Sequence, residues 1–239
     1  MDKLPSLTNC AVCGQPLVYA TEAKDVVCDF CGKTQKALIY CPADHYVCDA
    51  CHSRSAIDAL RQLLSVSKET DPGILLEQAM AHPSVPMHGP EHHVMVPAII
   101  AAAVRNAGFA ADGVVEKAID RATKVPGGWC GLYGDCGAAV GVGVAVSVIT
   151  GATPLTGKPR TQAMGATSFA LSRMLDDQAR CCKRASRTAV KAAVKYLREQ
   201  LDITLPYSGP LKCSFTAKNA ECPREKCAFY AGDSWERHP

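Results

Sequence analysis

The chain has 239 residues, of which 48% are hydrophobic and 21% are charged, and its net charge is +3. This composition is typical of a globular protein with a substantial core, in one large domain or in a large and a small one. The charge is too small to indicate nucleic-acid binding by itself. The first ten residues lack the apolar core of a signal peptide, and the longest apolar stretch is too short and too rich in glycine for a membrane span.

Cysteine is the most unusual part of the composition, with seven residues in 10–51 and seven in 130–227. A secreted disulfide protein is one explanation. The CxxC spacings, the chain length and the missing leader instead favour metal binding or redox chemistry in a reducing compartment. We therefore expect a cytoplasmic metalloprotein that does not associate with membranes.

The first part of the chain, residues 1–52, is predicted to be a small β module of the zinc-ribbon or treble-clef type. Four pairs of ligands follow one another at short spacing: Cys10, Cys13, Cys28, Cys31, Cys41, His45, Cys48 and Cys51. Four such ligands complete one tetrahedral zinc site, so two zinc ions are expected. The segments 16–21 and 36–41 are predicted to be short strands between the knuckles.

The spacing leaves the pairing of these ligands open. In a sequential arrangement the first two pairs share one ion, whereas in a cross-braced, RING-like arrangement the first pair joins the third. His52 is a substitute for His45. Because the module has little apolar core, the metal would supply much of its folding energy. Acidic and basic residues nearly balance over residues 1–70, so docking on a partner or on its own second domain is expected, rather than phosphate binding.

Residues 53–239 are predicted to form an α-helical domain, which makes the fold mainly α. Its first helix covers 53–66 with Ser53 or Ser55 as N-cap. The second begins at Pro72 with Asp71 as N-cap.

A third helix is predicted from about residue 91 to Asn106, with Gly108 as its stop. Pro97 predicts a kink or a later start. Around its beginning lie five potential ligands: His82, His88, Glu91, His92 and His93.

This His-rich segment has two interpretations. It is either a polar loop whose histidines cap helix ends or a metal or substrate site. On the second interpretation the four histidines are metal ligands. His88, Glu91 and His92 would then be catalytic, since a carboxylate beside imidazoles suits proton transfer near neutral pH.

The second cysteine set begins in a glycine-rich stretch around Cys130 and Cys136, where a helix is predicted to run from near Cys136 to Thr150. Its internal glycines each cost about 1 kcal/mol of helix stability, which indicates a close approach of another helix or of a bulky cofactor. Its positive N-terminal end is expected to stabilise a thiolate at Cys136.

A further helix is predicted over residues 160–180, ending at the adjacent pair Cys181 and Cys182, and another follows it. Basic residues recur every three or four positions over 180–198. They form either a solvated face or a wall toward an anionic cluster, substrate or partner. Nucleic-acid binding would rest on this stripe and is not expected.

The seven later cysteines are predicted to be cofactor ligands: Cys130, Cys136, Cys181, Cys182, Cys213, Cys222 and Cys227. Their irregular spacing does not suit zinc, whereas an iron–sulfur cluster accepts thiolates from distant segments. Thiol–disulfide chemistry without metal and structural cysteines are the alternatives. Adjacent residues of a regular helix point about 100° apart, so the pair at 181–182 would serve two irons, or supply one ligand and one reactive thiol.

Several motifs also resemble known families. The string Cys136-Gly137-Ala138-Ala139-Val140-Gly141, with Cys130 before it and the cysteine pair after it, resembles the C_GCAxxG_C_C family of redox-active proteins, which has Gly-Cys-Ala where this chain has Gly-Ala. The segments CDFCGK, HYVCDACH, PMHGPEHH, CGAAVGVGVAVSVITGATPL and RCCKR, with the Cys-rich tail, resemble the DUF5714 family. That resemblance implies an intracellular prokaryotic protein with a metal-related role.

The function expected from the whole sequence is an iron–sulfur or related metal-cluster protein with a redox or sulfur- and metal-handling role. It would carry a structural zinc module and work with a protein or redox partner, and a small-molecule substrate is compatible with this role. The alternative is a non-catalytic, zinc-stabilised interaction or regulatory module.

Overall fold

The computed structural model describes residues 10, 12–13, 15–48, 51, 55–208 and 212–232. It confirms the mainly α fold with a small N-terminal sheet. The helices are α1 (Ala56–Val66), α2 (Pro72–Ala81), α3 (Glu91–Asn106), α4 (Val114–Ala122), the single turn α5 (Trp129–Leu132), α6 (Gly137–Ile149), α7 (Gly157–Leu171) and α8 (Cys182–Leu201). Two 3₁₀ turns, Thr216–Lys218 and Arg224–Lys226, follow in the tail.

The N-terminal sheet is an antiparallel pair of strands, β1 (Val18–Val27) and β2 (Thr34–Tyr40), with Val27 opposite Thr34. Both strands overlap the predicted segments. The turn between them contains Gly32, whose φ of +68° favours glycine. This turn brings Cys28 and Cys31 to one end of the sheet. Gly14, which follows the first knuckle, lies outside the described residues.

Helix α3 is the centre of the helical domain. Every residue from His92 to Val104 is buried, and α2, α4, α6 and α8 pack around it. The helix begins at Glu91 and continues through Pro97, so the later start is not observed. Across the described part of the chain, no helix is both long enough and apolar enough to cross a membrane.

Helix α6 packs between α3 and α7, and its glycines permit this. A Cβ at Gly141 would lie 2.8 Å from Pro97 Cδ on α3, and a Cβ at Gly143 would lie 2.9 Å from the Ala163 carbonyl on α7. Real Cβ atoms do not approach that closely. At these two positions the predicted close approach is therefore to neighbouring helices rather than to a cofactor.

Two of the predicted N-caps are confirmed. The Ser55 hydroxyl accepts a hydrogen bond from the Asp58 amide, and the Asp71 carboxylate accepts from the Gly73 and Ile74 amides. Each cap satisfies amides that have no partner within their own helix. The caps therefore fix where α1 and α2 begin.

The helix predicted over 160–180 is too long. In the structure α7 ends at Leu171, and residues 172–181 are not helical. Asp177 has a φ of +53°, which a right-handed helix does not allow. Asp176 instead forms an ion pair of 2.8 Å with Arg184 of α8. This tertiary contact holds the segment in a non-helical conformation. The irregular segment becomes part of a cavity wall.

The basic stripe of α8 is divided between the core and the surface. Arg187 is fully buried and makes a two-point ion pair with Glu77, at 2.6 and 2.7 Å. Lys183 is also buried and donates to the Met80 carbonyl. The later basic residues of the stripe are exposed: Lys191, Lys195 and Arg198. Arg180 and this second half match the solvated-face interpretation, and the exposed positive patch on α8 is small.

Among the described residues, an aromatic contact and a hydrogen bond link the sheet module to the helical domain. The Phe30 ring meets the His82 ring edge-on, with centroids 4.5 Å apart. His82 Nε2 donates to the Cys51 carbonyl at 2.8 Å. Phe30, Cys28, Cys48 and Cys51 belong to the same buried cluster as the helix residues. The predicted division between residues 52 and 53 stays a prediction.

Candidate metal centres and thiol-lined cavity

Two groups of cysteine and histidine side chains near the sheet can each hold a metal ion. The ligand atoms in each group all lie within 4.8 Å of one another, and the groups are Cys10, Cys13, Cys41, His45 and Cys28, Cys31, Cys48, Cys51. The first ligand pair thus joins the third and the second joins the fourth. The arrangement is cross-braced, with one Cys₃His group and one Cys₄ group.

The distances fit tetrahedral coordination. Sulfur atoms are 3.5 Å apart between Cys13 and Cys41 and 3.7 Å apart between Cys31 and Cys48. His45 Nδ1 lies 3.7 Å from Cys41 Sγ. Metal–sulfur bonds of about 2.3 Å at tetrahedral angles require a sulfur separation of about 3.8 Å. His45 occupies the fourth position of its group, and its substitute His52 lies outside the described residues.

Electrostatics in the Cys₃His group favours a bound cation. Burial, together with the neighbouring thiols Cys41 and Cys10, raises the pKa of Cys13 to about 12. Burial opposes ionisation of Cys41 as well, but the Ala43 amide and His45 lower its pKa to about 7. Three crowded sulfurs cannot all ionise without a counter-charge, and a divalent ion supplies it.

His82, a predicted metal ligand, has both ring nitrogens engaged within the protein. Nε2 donates to the Cys51 carbonyl, and the Ser84 hydroxyl donates to Nδ1 at 2.7 Å. The side chain is buried under the sheet module. It lies outside the cavity between the helix ends that His88 and His93 line. The structure therefore assigns His82 a position between the two parts of the fold.

A cavity of about 630 Å³ lies where the beginnings of α3, α6 and α8 meet α5 and the segment after α7. Four cysteines line it: Cys130, Cys136, Cys181 and Cys182. They come from three separate segments of the sequence, which the helices bring together. Its volume is in the range of binding cavities for small molecules and cofactors.

Two of the three helices that begin at the cavity, α6 and α8, have a cysteine as N-cap. Cys136 is the N-cap of α6 and Cys181 is the N-cap of α8. Burial raises the pKa of Cys136 despite the Ala138 and Ala139 amides, so the expected stabilisation of its thiolate is outweighed. Burial likewise raises the pKa of Cys182. Without a cation or a cluster these buried sulfurs are held as thiols.

The adjacent cysteines face different neighbours. Cys182 interacts electrostatically with Cys136 and Cys130. Cys181 interacts with Cys213 and Cys227 of the tail, and it also lines a second, much smaller cavity with all three tail cysteines. Cys181 has extended backbone angles while Cys182 is already helical. The seven predicted cofactor ligands are thus divided between two places.

Histidines form one wall of the large cavity. His93 donates from Nδ1 to the Val125 carbonyl at 3.3 Å, and its ring packs against Gly137, where a Cβ would clash with it. His88 Nε2 lies 3.7 Å from Glu221 of the tail. His88 and His93 both line the cavity, and the interpretation of the segment as a metal or substrate site stays a prediction.

Three polar atoms near this wall are buried without a hydrogen-bond partner among the described residues: His88 Nδ1, Glu91 Oε2 and His92 Nε2. His92 donates from Nδ1 to the Gly89 carbonyl, while burial and the nearby Lys183 lower its pKa to about 3. Buried polar atoms are nearly always paired. Such a concentration is typical of a place where a ligand, an ion or water completes the bonding.

Other lining residues were not singled out in the sequence. Trp129, Leu171, Met174 and Leu175 give the cavity an apolar side, and Asp176 closes another edge. They lie in α5 and around the irregular end of α7. The sequence offered no periodic signal for them because the segment after α7 takes its shape from contacts with α8.

Comparison with the curated proteins and with the solved structures gave no match. The model of the family described as "Family of unknown function (DUF5714)" matches residues 60–230. The match covers the helical domain, the cavity and the tail cysteines, and it begins after the two N-terminal ligand groups. The partial resemblance to the C_GCAxxG_C_C family stays a prediction. The chain belongs to the DUF5714 family.

Proposed function

We propose that the large cavity binds an iron–sulfur or related metal–sulfur cluster, and that the protein uses it in a redox or in a sulfur- and metal-handling role. The convergence of Cys130, Cys136 and Cys182 on one cavity carries this proposal. Three thiolates leave a cluster with a metal position open to a substrate or a partner, as catalytic metal sites require.

The charge around the cavity supports an anionic occupant. Arg184 is buried, and its Nη1 atom has no acceptor among the described residues, although its other nitrogens bind Asp176 and the Ala179 carbonyl. Arg180 also lines the cavity. An unpaired guanidinium nitrogen in a buried position is costly, and a thiolate-bound cluster is an acceptor of the required sign.

His88, Glu91 and His92 would then have a supporting role. Their unpaired atoms are buried around the beginning of α3, and an imidazole or a carboxyl group there would accept protons from a bound substrate or deliver protons to it. We also propose that the two groups near the sheet hold zinc. Their thiolate-rich, closed tetrahedral arrangement is that of structural zinc sites. The protein would work in the cytoplasm with a redox partner.

The test is anaerobic purification followed by iron, zinc and acid-labile sulfide analysis and an absorption spectrum. We expect a brown protein that contains iron and sulfide. The variants Cys136→Ser and Cys182→Ser should lose most of the iron and sulfide. Cys222→Ser, a cysteine outside the cavity lining, is the matched control and should keep them. A colourless protein containing only zinc, even after anaerobic reconstitution with iron and sulfide, would overturn the proposal.

One observation favours the alternative role as a zinc-stabilised interaction module. The sheet exposes large apolar side chains, namely Tyr19, Val27, Leu38 and Ile39, and such residues are enriched at protein interfaces when they form a patch. This role predicts zinc near the sheet and unligated cysteines around the cavity. Partner binding would then survive Cys136→Ala and fail after Leu38→Asp.

A further inference from the structure

We propose that Cys181, Cys213, Cys222 and Cys227 form a third mononuclear, zinc-type site that fastens the C-terminal segment to the beginning of α8. This site is separate from the cluster cavity. It removes the tail cysteines from the cluster and leaves Cys182 as the ligand that α8 contributes to the cavity. The proposal changes which cysteines are assigned to the cluster of the proposed function, but it concerns a different metal ion.

The four cysteines line one small cavity. Its volume is about 10 Å³, and Phe215, Arg187 and six other residues also line it. That volume is about what one water molecule needs, so a single ion fits and a cluster does not. The sulfurs are spread more widely than in the two groups near the sheet, whose ligand atoms all lie within 4.8 Å of one another, so binding would have to draw them together.

The backbone around the tail cysteines resembles that of the N-terminal ligands. The Phe215 amide donates to Cys213 Sγ at 3.4 Å, two residues along the chain. The Ala43 amide donates to Cys41 Sγ with the same spacing and the same distance. The Arg184 amide donates to Cys181 Sγ at 3.4 Å. Amides directed at sulfur stabilise thiolates, the form that binds metal.

The surroundings also supply positive charge. Lys183 Nζ lies 4.4 Å from the centre of the Phe215 ring, and the Arg187 guanidinium lies 5.8 Å from it. Cys213 itself interacts with Arg187. Four thiolates on one divalent ion leave two negative charges, and the Arg187 guanidinium, which also pairs with Glu77, offsets part of them.

The tail needs such an ion because its own structure is slight. Residues 212–232 contain two short 3₁₀ turns and one isolated bridge, between Cys213 and Tyr230. In this described segment only Asn219 and Phe229 are buried. A loop with so little core is ordered when a metal closes it.

The experiment measures metals in the full chain. The double variant Cys222→Ser/Cys227→Ser should lose one equivalent of zinc per chain relative to the wild type. Hydrogen exchange in residues 212–232 should become faster. The matched control Cys182→Ser should keep its zinc. Unchanged zinc in the double variant, or loss of iron and sulfide instead of zinc, would overturn the proposal.

A second measurement needs no substitution. The wild-type chain loaded with ¹¹³Cd should give one resonance of the S₃N type and two of the S₄ type, because two Cys₄ sites and one Cys₃His site are then present. A single S₄ resonance would contradict the third site. The two proposals can fail independently. The iron content should depend on Cys182, whereas the third equivalent of zinc should depend on Cys222 and Cys227.

Discussion

His92 shows at the residue scale how burial sets chemical character. Its Nδ1 atom is tied to the Gly89 carbonyl, and its Nε2 atom is buried without a partner. A protonated ring would place a charge in the core beside Lys183, so the ring is neutral over the physiological range. A neutral imidazole is an acceptor for a bound proton donor or a ligand for a metal.

This burial predicts a pH dependence of stability. The pKa of His92 is about 3 in the folded protein against an ordinary 6.5. Between these values the unfolded chain binds a proton that the folded chain excludes, so stability is lost as the pH falls below 6.5. The free energy of unfolding should decrease by about 1.4 kcal/mol for each pH unit in this window.

Denaturation of the zinc-loaded protein at pH 6.5, 6.0 and 5.5 checks this prediction. His92→Asn is the comparison, because its amide can still donate to Gly89 but does not titrate. The wild type should lose stability relative to the variant as the solution becomes more acidic, and metal release in acid affects both proteins alike. A constant difference between the two would contradict the assignment.

At the scale of elements, α6 is stabilised by close packing against its neighbours rather than by the helix propensity of its residues. The glycines that weaken it as an isolated helix let it pass close to α3 and α7. Their backbone approach also keeps the N-terminal end of α6, with Cys136, directly beside His93. Packing between helices therefore positions one wall of the cavity.

Replacement of Gly143 by alanine tests this packing. The new methyl group meets the Ala163 carbonyl and the Thr167 side chain, and overpacking of this kind costs about 1–3 kcal/mol. Gly157→Ala, at the exposed start of α7 where no atom lies within 4 Å, should be neutral or slightly stabilising. Urea denaturation measures both, and equal midpoints for the two variants would show that α6 can move aside.

Local elements were the most predictable from the sequence. Ser55 and Asp71 cap helices through bonds to residues two or three positions away, so short-range chemistry fixes them. The end of α7 was predicted nine residues too late, at 180 instead of Leu171. An ion pair between Asp176 and Arg184 shapes that segment, and no periodic pattern records such a contact.

At the scale of the whole molecule, the long-range pairings were the part that spacing could not decide. The ligands of the two N-terminal groups were identified by residue type and interval, but sequential and cross-braced arrangements use the same intervals. The seven later cysteines were likewise identified as ligands, but the sequence did not show that they lie in two separate places. Their separation depends on the turn at Cys181 and Cys182 and on the return of the tail to α8.

Metal removal should separate the two parts of the fold. The helices share an apolar core centred on α3, whereas the sheet has few buried side chains besides its ligands and Phe30. Under reducing conditions a strong chelator should abolish amide protection in β1 and β2 and leave most of the helical circular dichroism. Re-addition of zinc should restore protection.

Hydrogen exchange with mass spectrometry resolves the two regions. Slow exchange persisting in β1 and β2 after complete metal removal would show that packing, rather than the ions, holds the module. Concerted loss of helical signal would show that the Phe30–His82 contact couples the two parts more strongly than its size indicates.

The division of Cys181 from Cys182 also limits how this chain can change in length. On the proposed ligand assignment, one peptide bond separates two binding sites, so a residue inserted there would displace a ligand of one site or the other. The stretch between Cys136 and Cys181 only has to return to the same place. Length variation in related chains should therefore accumulate in the turn before α7 and be absent between Cys181 and Cys182.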